Sequence, residues 1–343
     1  MLRLIVNWIL RFGIIELFSI FFVMINGAAL FLYVSYSRKE KNNKWSIHAA
    51  ALALFTLVCG GIGAFLGMCF VRQRPRRHKL IVFIGLVVAL IPMIHIVNGL
   101  TLSRIVRYVE IEFISEAWPL ELDGYRIAFF ADTHVISHEN MGNIAAELNN
   151  RNIDLLILGG DFSTRDAHYQ GTIREIAEIV TTDGIFGVEG NHDNHIMLFR
   201  AMEEHGMTPL DNSGVHIREK FFLAGVHDMW NRSPDIEAAM AGANADDFVL
   251  LISHNPDVTM EQSTLGIDLV LSGHTHGGQI AFFGFPMYLL RGSITDYGTT
   301  FGYGFAYSAD GVPVFVTRGV GVYYTIPRIF ARPEVVIFTM RSY

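Results

Sequence analysis

Short apolar segments in the C-terminal two-thirds of this 343-residue chain repeatedly run into a small motif carrying Asp, Asn or His. The motifs are Asp132-Thr133-His134, Gly160-Asp161, Gly190-Asn191-His192-Asp193, Ser253-His254 and Gly273-His274-Thr275-His276. Short apolar runs bounded by such turns read as buried strands, and helical stretches lie between them. This is the pattern of an α/β fold that gathers its polar groups at the carboxyl ends of its strands. Strands are expected at 126–131, 155–158, 185–188, 248–252 and 268–271, and helices at 139–150, 172–180 and 195–205. A hairpin of 215–219 with 221–226 and closing strands at 314–317 and 335–339 complete the series.

The first third differs in kind. Residues 1–100 hold 11 Lys and Arg against Glu16 and Glu40, a net of +9, whereas residues 101–343 hold 15 against 31, a net of −16. Apolar runs at 13–34, 48–71 and 80–100 each reach the roughly 20 residues that cross a bilayer core. Separated only by basic loops, they leave no polar face for water, so residues 1–105 are expected to form an all-α membrane region of about three transmembrane helices. Residues 106–343 then form the second domain. The first run is too long for a cleaved signal peptide and no small-residue cleavage site follows it. Gly63 and Gly67 have the small-xxx-small spacing of close helix packing, and His95 reads as a span-edge histidine facing neighbouring helices.

Arg72, Arg74, Arg76, Arg77 and Lys79 share a side with Arg3 and Arg11, against Arg38, Lys39, Lys41 and Lys44 with Arg104 and Arg107. The positive-inside rule then puts the N-terminus inside and the acidic domain outside the membrane. A re-entrant break at Gly60-Gly61-Ile62-Gly63 would reverse that side. Cys59 and Cys69 lie about 15 Å apart along a helix, too far to pair, and the acidic domain has no cysteine.

The chemistry lies in the motifs. Asp132 and His134, two apart, can grip one cation from the end of a strand, and His274 and His276 repeat that geometry. Asp161 adds a carboxylate, Asn191 an amide oxygen and His254 an imidazole. Seven groups with mixed oxygen and nitrogen donors suit Mn, Fe or Zn and disfavour Ca or Mg. They fill two sites if one carboxylate bridges. Two divalent ions so held would clamp a phosphoryl oxygen and activate a hydroxide, and His192 is placed to protonate the leaving alkoxide. His138, His168, His195, His205, His216 and His227 lack such support and read as surface or supporting residues. The aromatic segment 282–305 is a lid, a membrane-contacting loop, or a connection packing its own rings. Trp118 and Pro119 mark the membrane interface or begin the domain.

Over residues 125–339 the chain resembles the calcineurin-like metallophosphoesterases, in their bacterial phosphodiesterase branch with an N-terminal membrane anchor or export signal. The resemblance rests on Leu271-Ser272-Gly273-His274-Thr275-His276-Gly277-Gly278-Gln279-Ile280 and on Thr317-Arg318-Gly319-Val320-Gly321 with Arg328 and Pro333-Glu334. It implies a four-layer α/β/β/α sandwich, one metal on Asp132, His134, Asp161 and His276, another on Asp161, Asn191, His254 and His274, and His192 as the catalytic imidazole. Many members carry an Asp three residues after the bridging Asp, to orient that histidine. Thr164 stands there in this chain, leaving Asp166 or Asp193 as the orienting group. Residues 20–100, with their glycine-rich stretch and Arg77-His78-Lys79, resemble a small bacterial membrane domain of unknown function.

The expected function is a metal-dependent phosphoric ester hydrolase, a phosphodiesterase or pyrophosphatase, and the anchor points to a lipid-linked or envelope substrate. The alternative is a catalytically vestigial, metal-binding membrane interaction module. A nucleic-acid polymer is disfavoured as partner, because the domain is acidic and has no basic stripe. The charge distribution predicts that protease added to intact cells digests the acidic domain. Full protection until the membrane is breached would reverse the orientation.

Overall fold

The strand Arg126–Phe130 is apolar on both faces, with Ile127 and Phe129 on one side, Ala128 and Phe130 on the other, and all four buried. Side chains alternate along a strand, so such a segment needs cover above and below. The same holds for Leu155–Leu158, Phe221–Gly225, Phe248–Ile252 and Leu269–Ser272, every residue of which is buried. Two sheets stacked face to face, each with helices outside, satisfy all of them.

The computed structural model describes residues 14–39, 56, 61–70, 79–102, 105–134, 136, 138–162, 169–282, 285–286, 294–322 and 328–343. The chain divides into two units, 1–102 and 103–343. In the first, the described helices are α1 (Ile14–Lys39), α2 (Gly61–Phe70) and α3 (Lys79–Thr101). The segment Val82–Gly99 of α3 is long and apolar enough to cross a bilayer, and Ile20–Leu32 of α1 is a shorter apolar stretch. Most of the expected second span, 48–71, falls outside the described residues up to 60. Backbone contact between α2 and α3 is close, since a Cβ on Gly61 would lie 1.9 Å from the carbonyl carbon of Gly85. Asn26 of α1 accepts the Gly63 N–H at 2.8 Å, and His95 bonds the Ile91 carbonyl of its own helix at 2.7 Å.

The second unit runs β1 (Arg107–Ser115), β2 (Arg126–Phe130), α4 (His138–Asn149), β3 (Leu155–Leu158), α5 (Tyr169–Ala177), β4 (Ile185–Gly187), α6 (His195–Glu204), β5 (Thr208–Pro209), β6 (Ser213–Arg218), β7 (Phe221–Gly225), α7 (Ile236–Ala239), β8 (Phe248–Ile252), α8 (Val258–Glu261), β9 (Leu269–Ser272), β10 (Ala281–Phe282), β11 (Phe285–Pro286), β12 (Gly304–Tyr307), β13 (Pro313–Val316) and β14 (Glu334–Ser342). One sheet has the order β1-β14-β2-β3-β4-β5, with β2 to β5 parallel. The other has the order β12-β13-β9-β8-β7-β6, with β13, β9, β8 and β7 parallel. Ile127, Phe129, Leu155 and Ile157 meet Phe221, Leu223, Leu250 and Leu269 between the sheets. Ala128, Phe130 and Leu156 pack outward on α4, α5 and α6, and Phe222, Val249 and Leu251 pack outward against α7 and α8. These three apolar layers define the α/β/β/α sandwich expected from the sequence.

Trp118 belongs to the core between the sheets: its ring is 4.9 Å from both Phe221 and Phe248, and its indole N–H donates to the Leu122 carbonyl. In the aromatic segment, Phe301 is buried in the outer core and Tyr303 lies 4.0 Å beneath the Arg318 guanidinium, while residues 287–293 are outside the described set. At 2% exposure, Trp118→Ala is expected to cost about 3–5 kcal/mol. Leu265→Ala, at a site 74% exposed, should stay within about 0.5 kcal/mol. Denaturant melts of the purified chain compare the two, and equal midpoints would show that Trp118 is not a core residue.

Candidate metal centre

Asp132, His134, Asp161, His274 and His276 follow β2, β3 and β9, and all five have left-handed backbone, with φ of 57°, 33°, 58°, 71° and 53°. For residues with a side chain this region costs about 1–2 kcal/mol each, and it persists where the surroundings over-determine it. The surroundings here are other strand ends. Asp132 N–H donates to the Gly160 carbonyl, His134 N–H to the Asp161 carbonyl and Gly321 N–H to the Asp132 carbonyl. Gly190 passes so near that a Cβ on it would lie 2.2 Å from Asp161 Oδ1.

The seven residues read from the motifs come together around Asp161. Its Oδ2 is 3.3 Å from His134 Nε2 and 3.3 Å from His254 Nε2. On one side, His134 Nε2 is 3.0 Å from His276 Nε2, which is 3.5 Å from Asp132 Oδ1. On the other, Asn191 Oδ1 is 3.2 Å from His254 Nε2 and 2.9 Å from His274 Nδ1. His192 donates its backbone N–H to Asp161 Oδ1 at 2.8 Å, and its ring lies 5.5 Å from that of His134.

Hydrogen bonds fix which nitrogens face inward. His254 Nδ1 bonds the Gly159 carbonyl at 2.7 Å and His274 Nε2 bonds the Ile294 carbonyl at 2.8 Å. Each carbonyl accepts the ring N–H, so in the neutral imidazoles His254 Nε2 and His274 Nδ1 would carry lone pairs facing each other at 3.3 Å. Two facing lone pairs call for a cation, and imidazoles anchored through their other nitrogen are the usual metal-ligating arrangement. Asp132 Oδ2 is also buried without a hydrogen-bond partner among the described residues, which burial alone would penalise. The donors therefore fit a divalent metal.

Electrostatics point the same way. Burial lowers His274 to about 3 and drives His276 well below its usual value, leaving both neutral. Burial pushes Asp161 upward, but the neighbouring His254 and His134 overcome it and hold the carboxyl well below the carboxylate range. Burial disfavours charge on His254 too, yet Asp161 raises it well above the imidazole range. The pocket thus favours positive charge at that point. Burial lowers His192, against the pull of Asp161.

Several residues support the centre in ways that the motifs do not specify. Asp193, one of two groups considered for orienting His192, accepts the backbone N–H of Asp161, Phe162 and Gly190, each at 2.8 Å. It ties two ligand turns together. Asp166, the other, lies outside the described residues, as does Thr164. Asp228 accepts the N–H of Trp230 and Asn231, while Asn231 donates to the Asn191 carbonyl. Trp230, 53% exposed, stands edge-on to His274 at 4.6 Å. The buried Arg328 donates to the carbonyls of Gly321, His276 and Arg318, which accounts for its place in the trailing motif. His195 and His227, read as surface or supporting residues, converge on Glu189.

Residues 125–278 match the calcineurin-like phosphoesterase family. The chain is 27% identical over 240 residues to the uncharacterized metallophosphoesterase YkuE of Bacillus subtilis, covering 65% of this chain and 82% of that one. It is 25% identical over 260 residues to a Danio rerio transmembrane protein with metallophosphoesterase domain, covering 69% of this chain and 57% of that protein. An uncharacterized metallophosphoesterase of Campylobacter jejuni is 23% identical over 345 residues, 95% of this chain and 90% of its own length. That match lies over the strand ends that carry the donor set, so the chain contains a calcineurin-like metallophosphoesterase domain, of the hydrolases of phosphoric ester bonds.

Proposed function

We propose that the domain hydrolyses a phosphodiester or pyrophosphate bond with two divalent ions, Mn, Fe or Zn. Asp132, His134, Asp161 and His276 would hold one, and Asp161, Asn191, His254 and His274 the other. The observation that carries this reading is the position of Asp161 Oδ2, equidistant from His134 Nε2 and His254 Nε2 at 3.3 Å, as a bridging carboxylate requires. When bound, such ions polarise phosphoryl oxygens and lower the pKa of water.

The chain's own residues supply the rest. His192, held by its backbone against Asp161 and only part-buried, donates a proton to the leaving oxygen. Trp230 offers an exposed ring beside His274 for the part of the substrate outside the reacting phosphate. The first unit anchors the domain at a membrane as a multi-pass region, with the domain on the outer side by charge balance, and so favours a lipid-linked or envelope substrate. The apolar helix Val82–Gly99 and the likeness to a Danio rerio transmembrane protein support the anchor.

Full-length protein in detergent, stripped by chelator and reloaded with Mn or Zn, is expected to cleave an aryl phosphodiester only when reloaded. Asp161→Asn should lose metal and activity together. His192→Ala should keep its metal and lose about 10²–10⁴-fold in kcat on an alkyl ester, but less on the aryl ester, whose leaving group needs no proton. Equally slow turnover by the wild type and both variants would end the enzymatic reading. Gly190→Ala, whose new Cβ would press on Asp161, is expected to bind metal more weakly than wild type in a chelator competition. Unchanged affinity would mean that the turns can separate.

A further inference from the structure

A second histidine–carboxylate cluster lies outside the seven residues just described. Glu189 follows β4, His195 opens α6 and His227 follows β7. Their candidate ligand atoms all lie within 4.8 Å of one another. His195 Nδ1 is 2.8 Å from Glu189 Oε2, and His227 Nδ1 is 3.1 Å from Glu189 Oε1. The opposite nitrogens face Asp211, His227 Nε2 at 2.6 Å from Oδ1 and His195 Nε2 at 3.6 Å from Oδ2. Glu189 is 2% exposed and His227 8%.

Counting protons exposes a deficit. Four imidazole nitrogens face four carboxylate oxygens, and two neutral imidazoles carry only two N–H groups. Two of the four approaches would then set a nitrogen lone pair against a carboxylate oxygen. Arg232 borders the cluster, its Nε 3.5 Å from Glu189 Oε1 and a terminal guanidinium nitrogen 3.4 Å from His227 Nε2, but at that nitrogen Asp211 Oδ1 is much the closer partner, at 2.6 Å. If the two N–H groups sit on the Nε2 atoms and donate to Asp211, both Nδ1 lone pairs turn toward Glu189. That is a three-ligand set of two imidazoles and a carboxylate, with one outer carboxylate orienting both rings, as metal-binding histidines are ordinarily held. The seven-residue centre of this chain shows the same signature, inward lone pairs with the outer nitrogen anchored.

We propose that Glu189, His195 and His227 bind a further, single metal ion of the zinc class, with Asp211 orienting the two histidines. Two nitrogens and one carboxylate oxygen match that ion's donor preference. The site joins three separate strand and helix ends. One of them, at His227, leads directly into residues 228–231, which place Trp230 against His274 and Asn231 against Asn191. The ion therefore acts structurally, fixing the segment that borders the phosphoesterase centre.

The test is metal content by mass spectrometry on full-length protein, loaded with zinc and then dialysed, beside the double variant His195→Gln with His227→Gln. The variant is expected to hold one equivalent per chain less than wild type, while Asp161→Asn retains the equivalent that the double variant loses. A difference of zero between wild type and the double variant overturns the proposal, whatever the other centre holds. If the double variant does not fold, Asp211→Asn, at a side chain 47% exposed, replaces it. Competition with a chromophoric chelator should then show zinc affinity at this one equivalent falling about 10–100-fold, and an unchanged titration overturns the assignment.

Discussion

The centre is organised by one buried carboxylate. Asp161 reaches imidazoles from both sheets through Oδ2, His134 from the end of β2 and His254 from the end of β8, and holds the His192 backbone through Oδ1. A carboxylate with almost no exposure is tolerated only when positive charge and hydrogen-bond donors meet it. That requirement pins the carboxyl edges of two sheets to one point. It also explains why Asp193 sits beside it: one side chain holds the N–H groups of Asp161, Phe162 and Gly190, so the turns after β3 and β4 move as one.

Holding the ligand turns in place has a conformational cost. Five left-handed residues at about 1–2 kcal/mol each amount to roughly 5–10 kcal/mol. A fully buried large apolar side chain contributes about 1.5–3 kcal/mol, and the layer between the sheets alone buries Phe129, Ile157, Phe221, Leu250 and Phe338 among others. Rigid strands on apolar layers thus absorb the strain of the turns at their ends. Arg328 adds a polar brace, spanning the carbonyls of His276 and Gly321, which belong to turns far apart in sequence.

The most legible strands are those buried on both faces. Residues 248–252 were expected as a strand and form one, because continuous apolar runs between polar breaks have no other comfortable state. The strand β1 was less visible, since it lies at a sheet edge and exposes Glu110 and Glu112 in its alternation. Its partner β14 comes from the far end of the chain, a pairing that no local pattern encodes. The spacings in Asp132-Thr133-His134 and His274-Thr275-His276 revealed donor groups because both members sit in one turn. Glu189, His195 and His227 went unread as a group for the opposite reason: each leaves a different element, and only the stacking of β4, α6 and β7 brings them within reach.

The sequence by itself determined the two regimes of the chain, the alternation of apolar strands with helices, and the polar groups at the strand ends, all properties set by neighbouring residues along the backbone. Tertiary structure alone decided which of those groups share a site. It put Trp118 in the core, made Asp193 a clamp on backbone N–H groups, turned Trp230 toward His274, and gathered Glu189, His195 and His227. These outcomes depend on the order of strands across two sheets and on how closely their turns pack. Contacts between residues distant in sequence follow from burial in three dimensions, which local spacing does not carry.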